Sequence, residues 1–228
     1  FKAELAEANF TPDIVLVTSG MTYWYQGVVE IIDILKEVYP KTPVILGGTY
    51  ATLCQQHARR HTLADVVYIG SDIASLSELV ESLTGKSFEK NSNQQNQYGS
   101  FSGYPPPYYD GYLKLMYVAI RLSSGCPCHC TYCGTNQIQP YYALKNPAAV
   151  AEEIRVFVKE KGITNVVFYD DALLLNSNKT IQPLLVTLLS YVINRTNVQI
   201  HTPNGLSCRH ITPEIAKLMY QSGFVDPR

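Results

Sequence analysis

The 228-residue sequence has no excess of either charge and no long hydrophobic run. Its 18 Lys and Arg residues nearly balance 19 Asp and Glu residues, and no Lys/Arg-rich block stands out. A nucleic-acid partner is therefore not expected. No apolar run approaches the roughly 18–20 residues that cross a bilayer. The N-terminal "FKAELAEANF" is a mixed helical segment and not a signal peptide. We therefore expect a soluble protein of the cytoplasm without a membrane partner.

The first 84 residues alternate between strands and helices. The predicted strands are short runs rich in Val and Ile, apolar throughout, and the helices have one apolar face. Such strands indicate a parallel sheet that helices cover on both faces. The predicted strands are residues 12–19, 43–48 and 64–70, and the predicted helices are 26–39, about 53–61 and 74–83.

The composition changes after residue 84. Residues 85–112 are polar and then rich in Pro and Tyr, which is typical of a linker. Residues 113–228 alternate again as βαβαβα, which predicts the first half of a β/α barrel or a small doubly wound sheet. The chain starts without Met inside an apparent helix and ends where a further strand is expected, so we expect a truncated barrel and a fragment of a longer protein.

Four of the six cysteines fall within "CPCHCTYC". In a reducing cytoplasm, such a cluster indicates metal ligands or redox groups more than disulfides. Cys126, Cys130 and Cys133 have the spacing C-x3-C-x2-C. Three thiolates can hold three irons of a four-iron cluster and leave the fourth iron open for a substrate or cofactor.

A structural zinc site is the alternative for this loop. The four cysteines and His129 offer enough ligands, but zinc sites usually draw their pairs from two separate segments. Cys126, Cys128 and Cys130 alternate so closely that all four thiols would not easily converge on one metal ion. Cys128 is therefore predicted to be a non-ligand. Cys54 and Cys208 are predicted to be buried residues and not ligands.

The cysteine loop resembles the signature of the radical S-adenosylmethionine (radical SAM) superfamily, in which an aromatic residue precedes the last cysteine. Here that residue is Tyr132, in "CTYCG", and the loop follows the predicted strand "YVAIRLSSG". Loops at strand ends are where β/α barrels place their chemistry. The resemblance implies a partial radical SAM barrel, a 4Fe–4S cluster on Cys126, Cys130 and Cys133, and S-adenosylmethionine with Tyr132 and Gly134 on its adenine side.

The resemblance also implies which residues hold the rest of S-adenosylmethionine. In the superfamily the end of the second barrel strand binds the amino group, and here that stretch is "FYDDALL". Asp170 and Asp171 are the candidates, since an ammonium group needs oxygen acceptors. A helix cap or a solvated loop is the alternative for each. His201 and Asn204, after the third strand, are candidates for the ribose or the methionine carboxylate.

The implied chemistry is reductive cleavage of S-adenosylmethionine. The resulting 5′-deoxyadenosyl radical abstracts hydrogen from a substrate, or a methyl group is transferred by a related route. The cluster needs an electron donor such as a flavodoxin or a ferredoxin. The sequence predicts neither the substrate nor the outcome of the reaction.

Residues 1–84 resemble the cobalamin-binding domain of one branch of this superfamily. The resemblance implies a doubly wound, Rossmann-like domain that lacks its first strand and binds the nucleotide tail of cobalamin at the ends of its strands. The loop D-x-H-x-x-G, which supplies an axial histidine in the family, is absent from the chain. The residues implied for the tail are Ser19, Thr22, Gly47, Gly48 and Gly70.

Several alternatives remain open at this point. The first domain either binds cobalamin or only packs on the barrel. The stretch "MTYWYQG" is either a lid over the groove or an aromatic cluster at a domain interface. The whole chain is a radical SAM enzyme, a non-catalytic zinc-stapled binding module or an inactive fragment.

Overall fold

The computed structural model describes residues 2–8, 10–87, 101, 107–191 and 197–225. The chain forms two compact units. Unit 1 comprises Phe1–Gly99 and Tyr132–Gln139, and unit 2 comprises Ser100–Thr131 and Pro140–Arg228. Most of the predicted linker, 85–112, lies outside the described residues, and the predicted domain boundaries stay predictions.

Unit 1 contains a parallel sheet in which β2 (Val44–Gly47) lies between β1 (Val15–Ser19) and β3 (Val66–Val67). This arrangement confirms the predicted α/β fold with parallel strands. Strand β3 is much shorter than predicted, and the helix predicted over about 53–61 is two helices that meet at Cys54. The elements are α1 (Lys2–Glu7), β1 (Val15–Ser19), α2 (Tyr25–Val38), β2 (Val44–Gly47), α3 (Gly48–Leu53), α4 (Gln55–His61), β3 (Val66–Val67) and α5 (Ile73–Thr84).

The core of unit 1 follows from the apolar spacing of α2 and β2. Val28, Ile32 and Leu35 recur at helical spacing and form the buried face of α2. This face and β2 belong to one buried cluster that also contains Tyr50. Strand β1 alternates instead, and Leu16 is 55% exposed, so no helix of the described residues covers that face of the sheet along β1.

Unit 2 contains a second parallel sheet, in which β7 (Asn165–Phe168) lies between β4 (Val118–Ile120) and β8 (Gln199–His201). A short antiparallel pair, β5 with β6, was not predicted from the sequence. The described strands of unit 2 do not show a barrel, which stays a prediction. The elements from here on are β4 (Val118–Ile120), β5 (Ser123–Ser124), α6 (Thr135–Ile138, in unit 1), β6 (Ala143–Leu144), α7 (Pro147–Lys161), β7 (Asn165–Phe168), α8 (Ile181–Tyr191), β8 (Gln199–His201) and α9 (Pro213–Gln221).

The ends of the helices in unit 2 follow local sequence signals. Asn146 caps α7 by accepting a hydrogen bond from the Ala148 N–H, and Gly162 ends that helix in the left-handed region. Thr212 caps α9 in the same way as Asn146 caps α7. Within the described ranges, no helix is long and apolar enough to cross a bilayer.

Asp65 joins the start of β2 to helix α2. Its carboxylate accepts hydrogen bonds from the Val44 N–H and from the Lys36 ammonium. Burial acts to raise the pKa of Asp65, but these two donors outweigh it and the pKa is lowered. A carboxyl whose pKa is depressed by folding adds stability above its unfolded pKa, and this stability is lost as the pH falls through the folded pKa.

Asp65→Asn is therefore expected to lower the free energy of unfolding by about 1 kcal/mol at neutral pH, because the side chain is partly exposed and its ion pair is screened. The difference from wild type should shrink as the pH falls below the ordinary aspartate value of 3.8. Denaturant unfolding across pH measures it. Asp13→Asn, at an exposed ion pair with Lys86, is the control and should change stability little. A pH-independent loss in Asp65→Asn would contradict the assignment.

Candidate functional site

A cavity of about 300 Å³ lies at the carboxyl ends of the strands of unit 1. In open α/β sheets, ligands bind in this crevice. The lining is mostly apolar, and three glycines contribute to it. The lining residues are Leu16, Val17, Thr18, Ile45, Gly47, Gly48, Tyr68, Gly70, Ser71, Asp72, Ile73 and Leu76.

The two adjacent glycines of the cavity differ in what surrounds them. Gly48 has φ +87°, and a Cβ there would lie 2.6 Å from the carbonyl oxygen of Ser19 and 2.7 Å from Thr18 Oγ1. The close approach of β1 and α3 therefore requires glycine at position 48. A Cβ at Gly47 would meet nothing within 4 Å. Gly47 thus leaves open space in the cavity, and Gly48 allows the chain to pack.

The loop after β3 is held by its own hydrogen bonds. The Asp72 side chain caps α5 by accepting from the Ser75 N–H at 2.8 Å and from the Ser75 hydroxyl. These bonds lower the pKa of Asp72. The Tyr68 hydroxyl donates to the Asp72 carbonyl at 2.7 Å, and Gly70 between them has φ +138°. The cavity wall is therefore a fixed turn on this side.

Ser19 and Thr22 are placed differently from the three glycines. Ser19 is buried, and its hydroxyl donates to the Met21 carbonyl at 2.8 Å. Thr22 begins a short 3-10 helix, Thr22–Trp24. Among the described residues that line the cavity, neither appears. Their role in binding a cofactor tail stays a prediction.

The aromatic stretch after β1 divides into an outer and an inner part. Tyr23 and Trp24 are 69% and 58% exposed, and their rings meet edge to face at 5.7 Å. Tyr25 instead packs against Tyr50 and His57 inside unit 1. Exposed large aromatic side chains at a sheet's ligand-binding edge are consistent with contact to an apolar ligand.

The cysteine loop leaves β5 in unit 2 through Gly125, which has φ +71°. Cys126 is half-buried, whereas Cys128 and Cys130 are exposed, and no disulfide joins any of the cysteines. Burial raises the pKa of the Cys126 thiol. A backbone hydrogen bond from Cys128 opposes this rise, whereas the Cys128 side chain and the charge of Asp171 add to it. Thiols of this kind are soft ligands, and their spacing fits three irons of a cluster.

Cys133 belongs to unit 1, just before helix α6. Its thiol donates to Thr135 Oγ1 at 3.2 Å and accepts from the Thr135 N–H at 3.5 Å. Across the described ranges, no three His, Cys, Asp or Glu side chains lie close enough to hold a metal ion. Donor type and spacing suit an iron–sulfur cluster, but ligation by these cysteines stays a prediction.

Two predicted neighbours of the cluster flank Cys133. Tyr132 is 91% exposed. A Cβ at Gly134 would lie 3.1 Å from Leu53 Cδ1, so this glycine lets the chain approach α3 within unit 1. The contact gives Gly134 a packing role that the sequence did not predict, while its role beside a cofactor stays untested.

The two aspartates after β7 have opposite surroundings. Asp170 is 2% exposed, and its carboxylate accepts hydrogen bonds from the Leu122 N–H, the Ser123 N–H and the Ser123 hydroxyl. Burial raises the pKa of Asp170, and these donors oppose that rise. Asp171 is exposed. Of the two candidates for an ammonium group, only Asp171 presents its carboxylate to solvent.

The two candidates for the ribose or the methionine carboxylate, at the end of β8 and just after it, already have hydrogen-bond partners in unit 2. His201 Nε2 is hydrogen-bonded to Asn165 Oδ1 at 3.0 Å. The Asn204 amide donates to the Tyr169 carbonyl at 3.1 Å and so bridges the ends of β7 and β8. Cys208, predicted to be buried, is exposed in the 3-10 helix Cys208–His210, so that prediction is wrong; Cys54 is half-buried.

Residues 3–80 match the family model described as the B12 binding domain. The chain is 24% identical over 238 residues to the uncharacterized methyltransferase PH0819 of Pyrococcus horikoshii, covering 94% of this chain and 50% of the relative. The family-model match confirms the resemblance of the first domain to a cobalamin-binding domain. The matched residues include the glycines of the cavity and not the cysteine loop.

Solved structures of a radical SAM methyltransferase, TsrM from Kitasatospora setae, share the fold. One has tryptophan and a SAM analogue bound, with a TM-score of 0.71, 16% identity and coverage of 98% of this chain and 49% of that one. Another has cobalamin and a [4Fe–4S] cluster bound, with a TM-score of 0.70, 16% identity and coverage of 98% and 51%. The chain thus spans about half the length of the relatives that it matches.

Proposed function

We propose that this chain is part of a cobalamin-dependent radical SAM methyltransferase. The cavity at the strand ends of unit 1 carries this proposal, because it is mostly apolar and Gly47 leaves open space where a bulky ligand can approach the backbone. The similarity to the methyltransferase relative and the fold shared with TsrM support the same proposal. The substrate of the whole protein is not part of the proposal.

The proposal gives a binding role to the groove of unit 1 and another to the cysteine loop. The groove of unit 1 takes cobalamin, with the exposed Tyr23 and Trp24 available as apolar contacts. Cys126, Cys130 and Cys133 hold the cluster, and an electron donor of the flavodoxin or ferredoxin type reduces it. When bound, cobalamin supplies methyl transfer, and the cluster supplies the electron that cleaves S-adenosylmethionine.

Four side chains and the backbone at one glycine are assigned to S-adenosylmethionine. Asp171 binds the amino group, since its carboxylate is exposed whereas that of Asp170 is occupied. His201 and Asn204 bind the ribose or the methionine carboxylate. To do so, they give up their hydrogen bonds to Asn165 and to the Tyr169 carbonyl. Tyr132 and the backbone at Gly134 contact the adenine.

Gly47→Leu tests the groove. The added side chain starts in open space and extends into the cavity, so the fold should persist while cobalamin is excluded. Titration of the full chain with hydroxocobalamin, followed by visible absorbance, should show binding at least tenfold weaker than wild type. Gly47→Ala is the matched control, because a single Cβ fits, and should bind nearly as wild type does.

Two results would count against the groove. Wild-type chain that does not bind hydroxocobalamin would contradict cobalamin binding itself. Wild-type affinity in Gly47→Leu, with the melting temperature unchanged, would place the cofactor elsewhere.

A further inference from the structure

Asp170 links the end of β7 to the backbone that enters the cysteine loop. Its Oδ1 accepts from the Leu122 N–H at 3.1 Å, from the Ser123 hydroxyl at 2.6 Å and from the Ser123 N–H. Its Oδ2 lies 3.2 Å from the Leu122 nitrogen. The Asp170 carboxylate, two residues after β7, thus serves as the acceptor for the backbone N–H groups of Leu122 and Ser123.

The protein itself supplies the hydrogen-bond donors that surround this carboxylate. Asp170 is 2% exposed, and Ser123, its main partner, is equally buried. Buried carboxylates persist when several donors compensate for lost hydration, and charge-assisted bonds are the stronger kind. Removing such an acceptor leaves two N–H groups and a hydroxyl unsatisfied in the interior.

The same short segment is fixed from its other side. The Lys145 N–H donates to the Leu122 carbonyl at 2.8 Å, and β5 pairs with β6. The Arg121 guanidinium donates to the Ser124 hydroxyl at 3.3 Å. Residues 121–124 are therefore held on both edges immediately before Gly125 turns the chain towards Cys126.

We infer that Asp170 is a positioning residue that fixes the direction in which the cysteine loop leaves the sheet. Its effect on a cluster rests on the proposed function; its effect on the loop does not. Asp170→Asn keeps the shape, but it removes the charge that strengthens these bonds and places an NH2 group at Oδ2, which lies 3.2 Å from the Leu122 nitrogen. The loop should then separate from β7 and hold Cys126 less firmly.

Amide hydrogen exchange of the metal-free full chain tests the effect on the loop. Leu122 and Ser123 should exchange at least tenfold faster in Asp170→Asn than in wild type, and Cys126 should be alkylated faster. Asp110→Asn is the control and should leave both rates unchanged, because the Asp110 carboxylate forms only an exposed ion pair with Lys161. Ser123→Ala removes one of the donors and should give a smaller effect in the same direction, which keeps the test usable if Asp170→Asn does not fold.

Anaerobic reconstitution without S-adenosylmethionine tests the effect on the cluster. Asp170→Asn should take up less than half the iron of wild type or give an altered EPR spectrum after reduction, whereas Asp110→Asn should match wild type in both. A merely structural role would lower the melting temperature but leave the spectrum of the folded protein unchanged, and that result would overturn the inference.

The remaining outcomes separate this inference from the proposed function. Unchanged exchange at Leu122 and Ser123 in both Asp170→Asn and Ser123→Ala would overturn the inference while leaving cluster binding intact. A wild-type chain that forms no cluster would refute the proposed ligation. In that case faster exchange and alkylation in Asp170→Asn would still support Asp170 as the residue that positions the loop.

Discussion

Cys130→Ala is expected to abolish the iron–sulfur absorbance of the anaerobically reconstituted chain. Three thiolates are the fewest that hold a four-iron cluster with one open iron, so the loss of one should leave a site too weak to retain it. Iron and sulfide content should fall by at least tenfold relative to wild type. The visible spectrum and metal analysis of the same samples measure this effect.

Cys128→Ala is the matched control for Cys130→Ala. Both thiols are exposed on the same loop, two positions apart, so the two substitutions differ mainly in the predicted ligand set. Cys128→Ala should retain the iron and sulfide of wild type. Equal loss in both variants would contradict the C-x3-C-x2-C assignment and would favour a site built from all four cysteines.

Gly48→Ala is expected to have the largest effect on the stability of unit 1. At φ +87° an alanine costs about 1–2 kcal/mol of backbone strain. Its Cβ would also lie 2.6 Å from the Ser19 carbonyl oxygen, a backbone atom that cannot move without shifting the end of β1. Together these effects should lower the free energy of unfolding by about 3 kcal/mol or more.

The neighbouring Gly47→Ala should have the opposite sign. Gly47 has an extended backbone, and its Cβ would meet nothing within 4 Å. Alanine there reduces the entropy of the unfolded chain and should stabilise the protein by up to about 1 kcal/mol. Trp24, the single tryptophan, lies in unit 1, so denaturant unfolding followed by its fluorescence measures both variants. Equal stability of the two variants would contradict the close approach of β1 and α3.

Features set by neighbouring residues were predictable from the sequence. Pro147 and Gly162 bound α7, and Thr212 caps α9, because capping depends on residues within one turn. The parallel sheets followed from the spacing of apolar runs. The B12-binding resemblance likewise rested on short stretches at strand ends, and the family match confirmed it.

Features set by distant contacts were not predictable. Asp170 accepts hydrogen bonds from Leu122 and Ser123, which lie 48 and 47 positions earlier in the chain, and no local pattern shows that pairing. The grouping of residues 132–139 with unit 1 also depends on tertiary contacts, including Gly134 against Leu53.

The central claim is that the chain holds an iron–sulfur cluster on its cysteine loop and binds cobalamin in unit 1. The most direct test is the iron, sulfide and zinc content of the wild-type chain after anaerobic reconstitution. We expect about four irons and four sulfides per chain, with broad brown absorbance. One zinc and no iron would contradict the claim and would leave a zinc-stapled binding module as the better account of this loop.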